Sequence, residues 1–199
     1  MRMNRTILLS IAGLIALTYT VHAQEDRLIE NQRTNIIYDT TWGDTYLGKY
    51  TAENGLYVTN GATLTSDGNA YVGQLTSASN NMALVSSSNS VWRIEKTFQV
   101  GATNNGGNIV VVQDGGTIEL NNLTILGAAN GNSFMLGSGG TLNVESNFNA
   151  SMDGFIYGTG NTLKVGGELS GLDSVESNRT VNLTGGNATW SFEGSLYTI

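Results

Sequence analysis

The sequence predicts an all-β chain wound as a single-stranded parallel β-helix (a β-solenoid) of about six coils of roughly 25 residues. Three observations predict it. An apolar-x-apolar triplet recurs at a near-constant interval, and Gly-rich gaps fall at the same place in each interval. The 199 residues include 26 Gly and 23 Asn but no Pro. Interior coils must donate N–H groups to the next coil, which proline cannot do. Only 13% of the chain is charged, against 40% hydrophobic, unlike a disordered acidic chain. The missing proline also excludes collagen-like and Pro-rich linker readings.

Taken in order, residues 1–23 read as a cleaved signal peptide. Met1 to Arg5 is a short basic head, and Thr6 to Val21 is uncharged and mostly apolar. That run is too short for a spanning helix, so no membrane span is expected in the mature chain. Val21 and Ala23 place small residues before a cleavage point between Ala23 and Gln24. Cleavage removes His22, the only histidine, together with Arg2 and Arg5. Seven Lys and Arg then face 16 Asp and Glu, a net charge of −9. With no His and no Cys, Ser-His-Asp and Cys-His catalytic sites are excluded, as are the usual zinc ligand sets. The absence of cysteine also excludes a disulfide scaffold. The acidity argues against nucleic acid as a partner.

Residues 24–44 read as an N-terminal cap or linker, with charges clustered from Glu25 to Arg33. Residues 45–199 read as the solenoid repeats. The triplets are Leu56-x-Val58, Ala83-x-Val85, Val110-x-Val112, Phe134-x-Leu136, Phe155-x-Tyr157 and Val181-x-Leu183. Their second members, Val58, Val85, Val112, Leu136, Tyr157 and Leu183, are spaced 27, 27, 24, 21 and 26 residues apart and form the predicted core ladder. Five residues after each comes Thr63, Ser90, Thr117, Thr141, Thr162 or Ala188, followed by Leu64, Val91, Ile118, Leu142, Leu163 or Thr189. A third column runs through Gly48, Gly73, Gly101 and Gly127, then Ala150 and Gly171, with Leu47, Val72, Val100 and Leu126 ahead of the glycines. Alternation with period 2 marks each segment as a strand. Glycine suits the corners because it tolerates positive φ. Glu119, Asn143 and Lys164 fall at one outward position of successive coils, so an amide should lie between opposite charges.

These residues resemble the repeats associated with type V secretion and PEP-CTERM proteins. Leu56-Tyr57-Val58-Thr59-Asn60-Gly61-Ala62-Thr63-Leu64 is similar to that family's repeat, as are Ser88 to Trp92 with Phe98 to Gly101, Asp114 to Ile118, and Gly186 to Trp190. The resemblance spans about Tyr46 to Thr198. It implies a right-handed parallel β-helix like an autotransporter passenger, exported to the surface of a bacterium. Some family features do not appear: a Pro-Glu-Pro tail, a final spanning helix and a run of barrel strands. Trp92 precedes Gly101 by nine residues, while nine residues after Trp190 is Ile199. The expectation is therefore a truncated frame, a partial sequence or a short family member whose last coil is incomplete.

The chemistry-bearing residues suggest no reaction. Acids are scattered singly, at Asp67, Glu95, Asp114, Glu119, Glu145, Asp153, Glu168, Asp173 and Glu176. Glycosidases need two carboxyls facing across about 5–10 Å. Of these acids, Glu119 and Glu145 occupy neighbouring coils but sit two positions out of register. Asp114-Gly115-Gly116 offers a calcium-like turn, yet reads first as a turn in which Asp bonds its own backbone. Trp92 and Trp190 recur at matching repeat positions and read as packing before sugar platforms.

No catalytic residue, cofactor or metal is expected. The function expected is an exported extracellular or cell-surface solenoid with a structural or adhesive role. The alternative is a fragment of a carbohydrate-binding or polysaccharide-degrading β-helix protein. Expected partners are surface glycans or another cell-surface protein, with end-to-end self-association as a further route. Binding should sit in the loops Leu75 to Asn81, Thr103 to Gly107 and Ala128 to Ser133.

Overall fold

The computed structural model describes residues 25–127, 130–150, 155–157, 162–170, 180–183 and 189–191. Ala23 and Gln24, with the whole leader, lie outside the described residues, as do Asp153, Gly171, Asp173, Glu176 and Ala188. The described chain has 19 strands and no helix, and every strand pairing is parallel. It is a β-solenoid of about five turns.

Three faces repeat along the axis. The first contains β2 (Arg33–Ile36), β5 (Gly55–Val58), β8 (Met82–Ser86), β10 (Ile109–Gln113), β12 (Ser133–Leu136) and β15 (Phe155–Tyr157), a six-stranded sheet. The second contains β3 (Thr40–Trp42), β6 (Thr63–Ser66), the first halves of β9 (Val91–Val100) and β11 (Thr117–Ile125), then β13 (Thr141–Val144), β16 (Thr162–Val165) and β18 (Thr180–Leu183). The third contains β1 (Arg27–Ile29), β4 (Thr45–Leu47), β7 (Ala70–Val72), the second halves of β9 and β11, then β14 (Phe148–Ala150), β17 (Glu168–Ser170) and β19 (Thr189–Ser191). β9 and β11 run unbroken through the corner, with a register shift between Leu120 and Asn122. They join the second and third faces into one sheet.

Alternate residues of every face point inward. On the first face Leu56, Ala83, Val110 and Phe134 form one register column, and Val58, Val85, Val112 and Leu136 form the next. All eight side chains are fully buried. The backbone places Tyr157 opposite Leu136 in the same column. The second face contributes Leu64, Trp92, Ile118, Leu142 and Leu163, and the third contributes Leu47, Val72, Val100 and Ile125. Each large buried side chain contributes about 1.5–3 kcal/mol of burial free energy. Volume is traded between coils. The indole of Trp92 packs on Phe98 at 5.0 Å, and Phe98 meets Phe134 edge-on at 6.4 Å between centroids. The preceding coil carries only Ser66 and Ala70 at the positions of Ile94 and Phe98. Ser66 Oγ accepts from Trp92 Nε1 at 3.0 Å and lies 2.7 Å from Thr45 Oγ1, so the buried indole N–H is satisfied.

Four register expectations are corrected. Val181-x-Leu183 does not extend the first face; Val181 pairs with Leu163 and Leu183 with Val165 on the second. Its Thr180-x-x-Leu183 spacing matches Thr162-x-x-Val165, and the leading Thr, not the apolar pair, sets its place. Thr189 and Trp190 pair with Glu168 and Leu169 on the third face, so Trp190 is not the equivalent of Trp92. The partner of Thr63 and Thr117 is Val91 rather than Ser90, which puts Trp92, not Val91, inward. The cause is one extra residue between Val85 and Val91, six positions apart where Val58 and Thr63 are five. The third column continues from Val100 to Ile125, not Leu126, and Ala150 follows Ile125.

Buried amides hold the corner that leads into the first face. Asn54, Asn81, Asn108 and Asn132 each stand directly before a strand of that face, and all are at most 2% exposed. Asn54, Asn81 and Asn108 each donate Nδ2 to the Oδ1 of the next coil's Asn, at 2.8, 2.9 and 2.9 Å in turn. The same oxygens accept the backbone N–H of Asn54, Asn81 and Asn108. The corner glycines exist for this ladder. Gly48, Gly73 and Gly101 have φ of +65°, +75° and +76°. A Cβ on any of them would overlap the amide of Asn81, Asn108 or Asn132 respectively. A looser row of side chains opens the third face. Asp26 accepts from Asp44 N, Asp44 from Asn69 N, and Asn69 from Thr97 N, at 2.8, 2.7 and 3.3 Å.

Candidate functional site

The outward residues of the second face form one row: Thr65, Arg93, Glu119, Asn143 and Lys164 are partners in successive coils. The predicted order of Glu119, Asn143 and Lys164 is present. The charge partner of Glu119, however, is Arg93 in the preceding coil. Arg93 Nη2 and Nε both donate to Glu119 Oε2, at 2.7 and 3.0 Å. The extra residue before Val91 shifts Arg93 out of the register that the repeat spacing predicts. The pair is 46% and 37% exposed, so it contributes at most about 1 kcal/mol.

Beside it, Arg93, Glu95, Glu119, Asn121 and Glu145 line a recess of about 60 Å³. Three acids that are separate in sequence therefore share a rim. Glu119 is engaged by Arg93, and Asn121 Nδ2 donates to Glu95 O at 2.6 Å. Among the described residues, no group of three or more His, Cys, Asp or Glu side chains is placed to hold a metal ion.

On the third face Tyr46 and Tyr71 stack at 5.1 Å with a 5° angle between rings. Lys49 Nζ lies 4.5 Å from the Tyr46 centroid. The Tyr46 hydroxyl donates to Asp44 Oδ2 at 2.9 Å. Burial, the hydrogen bond to Asp44 and the charges of Asp44 and Asp26 push Tyr46 up to about 12. Burial and Asp44 raise Tyr71 as well. Trp92 is fully buried and presents no platform.

The outward side of the first face differs in character. Tyr57, Leu84, Val111 and Met135 follow one another in register, and the backbone continues the row to Ile156. Tyr57, Leu84 and Met135 are half-buried, Val111 is 8% exposed, and neighbouring Met82 is 37% exposed. The Tyr57 ring lies over Gly55, where a Cβ would stand 2.7 Å from Cε2. The middle members of the first five triplets are thus apolar as well, which the sequence shows as uninterrupted apolar runs at these strands.

The three loops singled out for binding stack on one another. Asn105 Nδ2 donates to the carbonyls of Gly73, Leu75 and Ala78 at 2.7, 2.9 and 3.0 Å. Asn80 N donates to Gly106 O, and Gly107 N to Asn130 O. Ala128 and Ala129 lie outside the described residues. Asp114, at φ +53°, sits in a turn closed by Gly116 N to Gln113 O. Its carboxylate accepts from Ser86 Oγ of the preceding coil and from Gln113 Nε2, rather than from its own backbone. No helix among the described residues is long and apolar enough to cross a membrane. No protein-family model matches the chain, nor does any curated protein or solved structure.

Proposed function

We propose that this chain is an exported β-solenoid that acts at or outside the cell surface by contact rather than by catalysis. The observation that carries the reading is the unbroken outward row Thr65, Arg93, Glu119, Asn143 and Lys164. A solenoid that presents one side-chain step per coil offers an extended, repetitive surface, suited to many weak contacts acting together. The basic head, uncharged run and small residues before Gln24 support export. The likeness to type V secretion and PEP-CTERM-associated repeats supports surface display. Immunoblotting of fractionated source cells tests this. Signal at the surface, in the outer membrane or in the medium is expected, and signal confined to the cytosol overturns export.

The shared rim of Glu95, Glu119 and Glu145 favours a second reading, a polysaccharide-binding or polysaccharide-degrading fragment. Incubating purified chain with extracellular polysaccharides separates the two. Release of oligosaccharides that Glu119→Gln abolishes establishes the second reading. No release, with retention of cells but not of free polysaccharide on immobilised chain, supports contact.

A further inference from the structure

We infer that the outward side of the first face is a lateral docking surface for a second copy of this chain, face to face. The inference goes beyond the proposed function and stands whether or not the chain is exported.

Charge is the first argument. β5, β8, β10, β12 and β15 contain no charged residue. The chain carries a net charge of −7, so copies repel one another over most approaches. The second face holds Arg93, Glu95, Glu119 and Lys164, and on the third Asp44 and Lys49 flank Tyr46. An uncharged strip is where two like-charged copies can meet without an unpaired charge at the contact.

Period is the second argument. Tyr57, Leu84, Val111 and Met135 stand one coil apart, at the strand spacing of about 4.8 Å. A partner whose own apolar row has the same spacing can interdigitate along the whole strip, and an identical chain has it by construction. Two flat sheets then pack about 10 Å apart.

Area fixes the strength. β2, which carries the exposed Arg33, bounds the strip, and the five uncharged strands, about 4.8 Å apart and about four residues long, span roughly 19 by 13 Å. Two copies then bury roughly 500 Å², well under the 1,200 Å² or so of a stable pair. A single pair is therefore weak, and tight association belongs to arrays in which many chains are held together.

The test is sedimentation of the full chain up to about 1 mM, beside Leu84→Lys/Met135→Lys. The parent should move from monomer to dimer as concentration rises. The variant should remain monomeric, with an unchanged circular dichroism spectrum, because both side chains face outward. A second measurement does not depend on that variant folding. The chain has no cysteine, so Leu84→Cys gives a unique thiol. A short bis-maleimide should link Leu84→Cys copies and leave Thr65→Cys copies, on the second face, unlinked. A parent that stays monomeric with a freely reactive Leu84→Cys thiol overturns the inference and leaves a different partner for the strip. A monomer whose thiol is protected overturns it in favour of the chain covering its own face. Equal association of parent and lysine variant overturns it in favour of another surface, such as the solenoid ends.

Discussion

Asn81 Nδ2 donates to Asn108 Oδ1 at 2.9 Å while Asn81 N donates to the same oxygen at 3.1 Å. One carbonyl oxygen thus ties down both the side chain and the backbone of the preceding coil. Asn81→Ala removes a donor from Asn108 Oδ1 and leaves Asn54 N without its buried acceptor, while Asn54 Nδ2 keeps Thr51 and Ala52. A loss of about 3 kcal/mol is expected, lowering the melting temperature by roughly 6–12 °C. Thermal unfolding followed by circular dichroism measures it. A shift within a degree or two would mean that backbone pairing alone holds the corner.

Gly73→Ala should strike the same ladder from the other side. Its φ of +75° costs an L side chain about 1–2 kcal/mol. The added Cβ also overlaps the Asn108 amide, which is locked by its own hydrogen bonds. The expected loss is larger than that of Gly61→Ala, whose Cβ meets nothing closer than 3.7 Å. Denaturant unfolding of the two variants side by side decides it, and equal losses would show that the amide yields freely.

Inward and outward positions should differ sharply in tolerance. Val112→Asp puts a carboxylate into a fully buried column, at a cost of several kcal/mol. Glu119→Gln alters a partly exposed ion pair and should change stability by at most about 1 kcal/mol. Urea titration of both checks the assignment of faces. A Val112→Asp variant as stable as its parent would place the core elsewhere.

The Tyr46 site makes a prediction about alkaline pH. Its phenol holds its proton to about 12, against 10.0 for an ordinary tyrosine. Above pH 10 the unfolded chain binds fewer protons at this group than the folded one, so stability falls with rising pH. The contribution is present in full below pH 10 and lost as pH rises through about 12. Phenolate absorbance should show a late-titrating component that Tyr46→Phe diminishes, Tyr71 being raised as well. A single phase near 10 in the parent would contradict the burial and Asp44 contact that hold the proton.

How far the sequence reveals this arrangement depends on the kind of signal. The inward columns through Val58, Val85, Val112 and Leu136 are legible because period-2 alternation and five-residue gaps repeat. The Trp92 position is not, because one extra residue after Val85 shifts its register without changing composition. Leu183 is misplaced because apolar-x-apolar spacing occurs on the second face as well as the first. The Asn ladder lies in the gaps between strands, outside any hydrophobic pattern. Its spacings of 27, 27 and 24 residues nevertheless equal those of the first triplets, so the periodic signal was available. The recess at Glu95, Glu119 and Glu145 depends on side chains meeting across coils, which needs the register first.

The most direct measurement of the parallel, in-register winding is a pair of distances between nitroxide labels on cysteines introduced into the outward row of the cysteine-free chain. Thr65 and Asn143 lie three coils apart, and Thr65 and Lys164 lie four. Pulsed electron resonance should give a second distance longer than the first by about 4.8 Å, one strand spacing. Equal distances, or a shorter second one, would contradict a solenoid in which each repeat advances the chain by one coil.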